Sequence, residues 1–118
     1  MEELKNLYNT GWDDWKPFPD PRKGQYLTAP FGSGVYQLRN TKCDKYVLFG
    51  TGKHLAHRMT SLLPKPFGAG TRNNEDKRKY IINNLQDIEY RTISFIENDD
   101  AKRFESYVKS IEQYIFGS

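Results

Sequence analysis

The sequence predicts an α/β chain of the α+β kind, a small three-stranded antiparallel sheet flanked by helices. Three observations carry that expectation. A hairpin pattern of β-branched and aromatic residues runs from Gly34 to Gly50, a second dense strand pattern occupies Ile88 to Ile96, and helical spacing of apolar residues follows each of them. At 118 residues the chain fits one domain around one core. We divide it into an arm over 1–33, rich in proline and aromatic residues, and a domain over 34–118.

In the arm, Leu4, Leu7 and Tyr8 share one face of a short helix that ends near Gly11. The segment after it carries Pro17, Pro19, Pro21 and Pro30, which deny regular helix and remove ladder donors, so it reads as an extended strap. Trp12, Trp15, Phe18, Tyr26 and Phe31 are its expected anchors on the core.

The hairpin follows. Gly34 to Leu38 and Tyr46 to Gly50 form its strands, and the polar run Asn40 to Asp44 turns between them. Alternation puts Tyr36 with Leu38 on one face and Val35 with Gln37 on the other, and sets Tyr46 and Leu48 against Val47 and Phe49. Gly50 and Gly52 are expected to break the second strand. Leu55, Met59 and Leu62 then mark one helical face, with Arg58 beside it and Pro64 closing the segment.

The stretch from Ser61 to Arg72 is a loop with two prolines and two glycines, and the role of its Pro64 to Asn74 part is unassigned. Asn73 to Leu85 predicts a helix with Ile81, Ile82 and Leu85 inward, and Ile88 to Ile96 the third strand. A last helix starts at the cap Asn98-Asp99-Asp100 and runs to about Ile115, with Ala101, Phe104, Tyr107, Val108, Ile111, Tyr114 and Ile115 at helical spacing. Glu105 falls about 40° outside that stripe, at the border of core and solvent.

Composition bounds the chemistry. Hydrophobic residues make up 36% and charged residues 28%, ordinary for a globular protein, while an aromatic share of 14% fits tyrosines on a half-buried sheet. A formal charge of +3 permits a polyanionic partner without requiring one. Cys43 is the only cysteine, so there is no intramolecular disulfide, and His54 and His57 without a cysteine pair do not make a structural zinc site. The first residues are acidic where a signal peptide is basic, and no apolar run approaches the ~20 residues of a membrane helix, so we expect a cytoplasmic protein with no membrane partner.

The order Gly34-Val35-Tyr36, then Leu48-Phe49-Gly50, then Leu55 and Arg58, resembles the GIY-YIG nuclease superfamily. That superfamily places an arginine eight residues after the glycine of its second triplet, as here. Leu48 departs from the pattern, standing where the superfamily usually has a tyrosine. The resemblance spans roughly Gly34 to Phe116. It implies an endonuclease, a hydrolase acting on phosphodiester bonds in nucleic acid, with DNA as the expected substrate and one Mg²⁺ or Mn²⁺ ion bound mainly with substrate. In it Tyr36 orients or deprotonates the attacking water, Arg58 binds the phosphate and Glu105 holds the metal.

A phenol with a reference pKa of ~10 needs positive charge nearby to act as a base, which Arg58 and His54, one turn earlier, are expected to supply. An arginine also offers phosphate a bidentate fork that lysine lacks. Nucleic-acid contacts are expected from Lys53, His57, Arg72, Asn73, Lys77 and Arg78. Tyr46, of the same parity as Leu48, could stand in for the missing tyrosine only by reaching along the sheet. With no separate DNA-reading domain, sequence specificity is expected to be weak or to come from a homodimer or a targeting protein.

Each residue also has a plainer role: Tyr36 as a sheet tyrosine, Arg58 and Lys77 to Lys79 as solvated charge, and Glu105 as one more acid on an amphipathic helix. The alternative function is accordingly a nucleic-acid or protein-binding module that keeps the fold with impaired catalysis.

Overall fold

In the computed structural model, which describes residues 2–60, 62 and 75–116, the elements run α1 (Glu2–Thr10), β1 (Lys16–Pro17), β2 (Gly34–Asn40), β3 (Lys45–Gly52), α2 (Leu55–Thr60), α3 (Glu75–Asn83), β4 (Ile88–Ser94) and α4 (Asn98–Ile111). Short 3₁₀ turns lie at Pro21–Lys23 and Leu85–Asp87. The fold is α+β, and its sheet is antiparallel with strand order β1-β4-β2-β3.

The described sheet has four strands where three were expected. The extra one is β1, from the arm, with Lys16 opposite Tyr90 and Pro17 opposite Glu89. Proline is tolerated there because β1 is an edge strand and needs no outward donor. Asp13 continues the pairing with its side chain: its carboxylate accepts from the Thr92 backbone N–H at 2.7 Å and from the Thr92 hydroxyl at 3.2 Å.

Helices cover both faces. On one, Tyr36, Leu38, Leu48 and Tyr90 of the sheet pack with Leu55, Met59, Leu62 and Ile81, and Phe18 of the arm joins them. On the other, Val35, Phe49 and Ile93 pack with Ala101, Phe104 and Val108 of α4, flanked by Leu4, Leu7, Tyr8 and Trp12. Fully burying one such aliphatic or aromatic side chain contributes about 1.5–3 kcal/mol, so both layers are needed for a stable sheet.

Five local expectations are corrected. Gly50 does not break its strand, because β3 continues through Gly52 and still pairs with β2. Simple alternation fails between Arg39 and Leu38: Leu38 opposes Leu48 but Arg39 opposes Tyr46, so Val47 is an extra residue in a β-bulge. Val47 therefore lies in the same cluster as Leu48, and Tyr46 turns to the other face, its ring 5.6 Å from that of Tyr114.

The last helix ends at Ile111, short of Ile115. The chain then runs beside β3, the Ile115 and Phe116 N–H groups donating to the carbonyls of Tyr46 (3.1 Å) and Val47 (2.9 Å), which gives the edge strand partners. Its N-cap is Glu97, with Asn98 as the first helical residue. Finally, Trp12, Trp15 and Phe18 pack as expected anchors, but Tyr26 and Phe31 do not: they are 85% and 88% exposed.

A polar network locks the arm onto the α4 face. The buried Gln37 amide donates to the hydroxyls of Tyr114 (2.8 Å) and Tyr8 (3.2 Å), while its carbonyl accepts from Arg91 Nε at 2.7 Å. The Tyr8 hydroxyl donates to Glu112 at 3.0 Å. Arg91 lies over the rings of Trp12 and Trp15, each 4.5 Å away. Burial pushes the Tyr8 and Tyr114 phenols up, so both remain neutral donors and acceptors.

Candidate active site

The site begins with close backbone approaches that a side chain would block. Tyr36 and Gly50 are cross-strand partners. A Cβ placed on Gly50 would meet Cζ and Oη of Tyr36 at 2.6 Å and Cε1 at 2.7 Å, so the phenol lies flat over the bare backbone opposite it. Only glycine leaves that room. The ring is 4% exposed, held between β3 and the apolar cluster.

Two residues on, the same logic recurs. A Cβ on Gly52 would stand 3.0 Å from Cδ of Arg58 and 3.5 Å from its Cβ, so the arginine stem runs along this second bare position. Gly34 completes the set: a Cβ there would meet the Ile93 carbonyl at 2.6 Å and Leu55 Cδ2 at 2.9 Å. The three glycines thus seat Leu55, Tyr36 and Arg58 and fix α2 against the end of the hairpin. Their spacing was legible in the sequence. Their purpose was not, because Gly50 and Gly52 read as turn formers.

The arm supplies a feature that no side-chain signal announced. Leu55 and Ala56, the first residues of α2, donate their N–H groups to the carbonyls of Gly32 (3.0 Å) and Pro30 (2.9 Å). Backbone caps depend little on residue type, and the one hint was the lack of Ser, Thr, Asp or Asn just before Leu55. With those donors committed, an anion near α2 meets the Arg58 side chain rather than the helix N-terminus.

His54 precedes α2 instead of lying on it. Its backbone carbonyl accepts from the Arg58 N–H at 3.0 Å, and its exposed ring has Nδ1 3.4 Å from the Phe31 carbonyl oxygen. Lys53 and His57 are exposed, while Lys77 and Arg78 are half-buried on α3. Arg72 and Asn73 lie outside the described residues, as does the Pro64 to Asn74 loop.

Glu105 is half-buried on α4, against the opposite face of the sheet from Tyr36. Burial raises its carboxyl above the usual glutamate range, and the positive charge of Arg58, ahead of Lys109 and Lys102, pulls it back. The guanidinium and the carboxylate therefore share one electrostatic neighbourhood although their helices cover opposite faces.

Leu48 is fully buried, and Tyr46, turned to the other face by the bulge, does not replace the tyrosine expected there. Among the described residues no group of three or more His, Cys, Asp or Glu side chains could hold a metal. A single carboxylate suits Mg²⁺, which keeps several waters and takes substrate phosphate as a ligand, and does not suit zinc. No helix among the described residues is long and apolar enough to cross a membrane. Comparison with protein families, with characterised proteins and with solved structures gives no match to this chain.

Proposed function

We propose that this domain is a metal-dependent endonuclease that hydrolyses phosphodiester bonds in nucleic acid, with DNA as the substrate, acting in the cytoplasm. One observation carries the reading. The residue that would bind phosphate, Arg58, is seated by Gly52, two residues along the strand from the Gly50 that faces Tyr36.

Phosphodiester hydrolysis needs a positioned water, a cation against the phosphate and relief of charge on the departing oxygen. Arg58 offers the phosphate a guanidinium whose stem is already immobilised, so little side-chain freedom is lost on binding. Tyr36 offers a hydroxyl held in one place by the Gly50 backbone. A divalent cation, when bound, would supply charge neutralisation at the leaving oxygen, and Glu105 is the residue to hold it. Lys53, just before α2, and His57, on it, are exposed and offer further contacts to the flanking backbone.

A second reading rests on Leu48. A leucine side chain, here fully buried, can neither donate nor accept a hydrogen bond, which favours a module that binds nucleic acid without cutting it.

Incubating supercoiled plasmid with Mg²⁺ or Mn²⁺ separates the two. Arg58→Met, which keeps a stem over Gly52 but removes the charge, and Glu105→Gln are run beside the parent. Nicking by the parent, lost in both variants, is the expected outcome. Parent protein that retards the plasmid without nicking it establishes the binding module instead.

A further inference from the structure

Phe31 is a large apolar side chain that the fold leaves 88% exposed. Its backbone is nonetheless tied down on both sides: Pro30 and Gly32 accept the first two N–H groups of α2, and the adjacent Ser33 carbonyl accepts from the Phe95 N–H at 2.9 Å. The ring is therefore presented on anchored chain. Packing does not account for it, since Trp12, Trp15 and Phe18 already fasten the arm.

What surrounds Phe31 decides which ligand suits it. Its own carbonyl oxygen lies 3.4 Å from His54 Nδ1, and the α2 segment it abuts continues through the exposed Lys53 and His57 to Arg58. An exposed aromatic face beside a row of phosphate-binding groups is how proteins hold an unpaired nucleotide, the base stacking on the ring while the backbone follows the cations. Ile96 is 98% exposed but is followed by Glu97, Asp99 and Asp100, which repel phosphate, and it has no flat face to stack on.

We infer that Phe31 is a stacking platform for an unpaired base next to the phosphate at Arg58, so that the favoured substrate is a single strand, overhang or loop rather than continuous duplex. This inference rests on the nucleic-acid reading given above. It adds that specificity is for strand structure, read by an element contributed by the arm.

The test is fluorescence anisotropy in metal-free buffer at low salt. Labelled oligothymidine and a labelled blunt duplex are titrated with the parent, Phe31→Ala, Phe31→Trp and Arg58→Met. Phe31→Ala should leave the melting temperature unchanged, because the ring is exposed. It should weaken oligothymidine binding about tenfold, as loss of one stacked base does, and duplex binding no more than about twofold. Phe31→Trp should restore the single-strand affinity.

If Phe31→Ala binds both probes as the parent does, or loses affinity equally for both, the platform is refuted. Should the parent's duplex binding still depend on Arg58, the nucleic-acid reading survives that failure. If the parent binds neither probe, both fall together.

Discussion

Gly50→Ala tests the contact on which the candidate site is built. The added methyl would stand 2.6 Å from Cζ and Oη of Tyr36 and 2.7 Å from Cε1, well inside van der Waals contact, in a region where the ring is 4% exposed. The ring cannot simply swing out, because Leu55 and Met59 pack in the same cluster. Forcing one methyl into so tight a space costs about 1–3 kcal/mol. For a domain of this size that is roughly 3–15 °C of melting temperature.

Tyr36→Leu removes the three ring atoms nearest Gly50 and provides the control. Leucine at 36 lowers stability on its own, but it should make Gly50→Ala nearly free of further cost, giving a coupling of about 1–2 kcal/mol in a double-mutant cycle followed by urea unfolding. If Gly50→Ala is equally damaging in both backgrounds, the glycine is needed for some reason other than the phenol. On the proposed reading, in which Tyr36 orients or deprotonates the attacking water, its displacement should also lower plasmid nicking by about a hundredfold, as misplacing a reacting group by about 1 Å does.

Two further outcomes follow from charge and burial. Burial raises the folded-state value of Glu105, so the folded chain holds that proton more tightly than the unfolded chain. The stability this supplies is complete below the ordinary glutamate value of ~4.3 and is lost as pH rises through the raised one. Glu105→Gln should therefore raise the melting temperature at pH 7, with the gain shrinking as pH falls toward 4, and a gain independent of pH would refute this assignment. Gln37→Leu should cost about 2–3 kcal/mol in urea unfolding, because Tyr8, Tyr114 and Arg91 all lose a buried partner, and a change below about 0.5 kcal/mol would show that the network can re-pair without it.

The regular elements were legible because their signals are local. Leu55 and Met59 share one face of α2, Leu62 follows just beyond its end, and all three are fully buried. β4 announced itself by its run of β-branched and aromatic residues. The bulge at Val47 was not legible, since bulges come from how two strands meet rather than from either strand alone. The same holds for β1, whose two residues include a proline and pair only because β4 presents an open edge. The stop at Ile111 was hidden because Tyr114 and Ile115 keep helical spacing, while their backbone is drawn off to the edge of β3. Phe31 was misjudged on the premise that aromatic residues in a strap serve as anchors, a rule that Trp12 and Phe18 obey.

The site was readable as residue types at fixed spacing, and its geometry separates two kinds of constraint on them. Gly34 and Gly50 are required by packing alone: any chain that lays Leu55 and Tyr36 across this hairpin needs bare backbone beneath them, whether or not it cuts anything. A motif built on those glycines therefore speaks to scaffold more than to chemistry. Arg58 and Glu105 differ. The Arg58 stem covers Gly52, which a methionine stem would also do, so the contact with that glycine does not by itself call for a guanidinium. Glu105 sits where burial works against its charge, and a glutamine there would relieve that cost. An ionisable group kept in a half-buried place that disfavours its charge, with Arg58, Lys109 and Lys102 acting in its favour, is an arrangement that functional sites often show. It is on this pair, more than on the tyrosine or the glycines, that the case for chemistry stands.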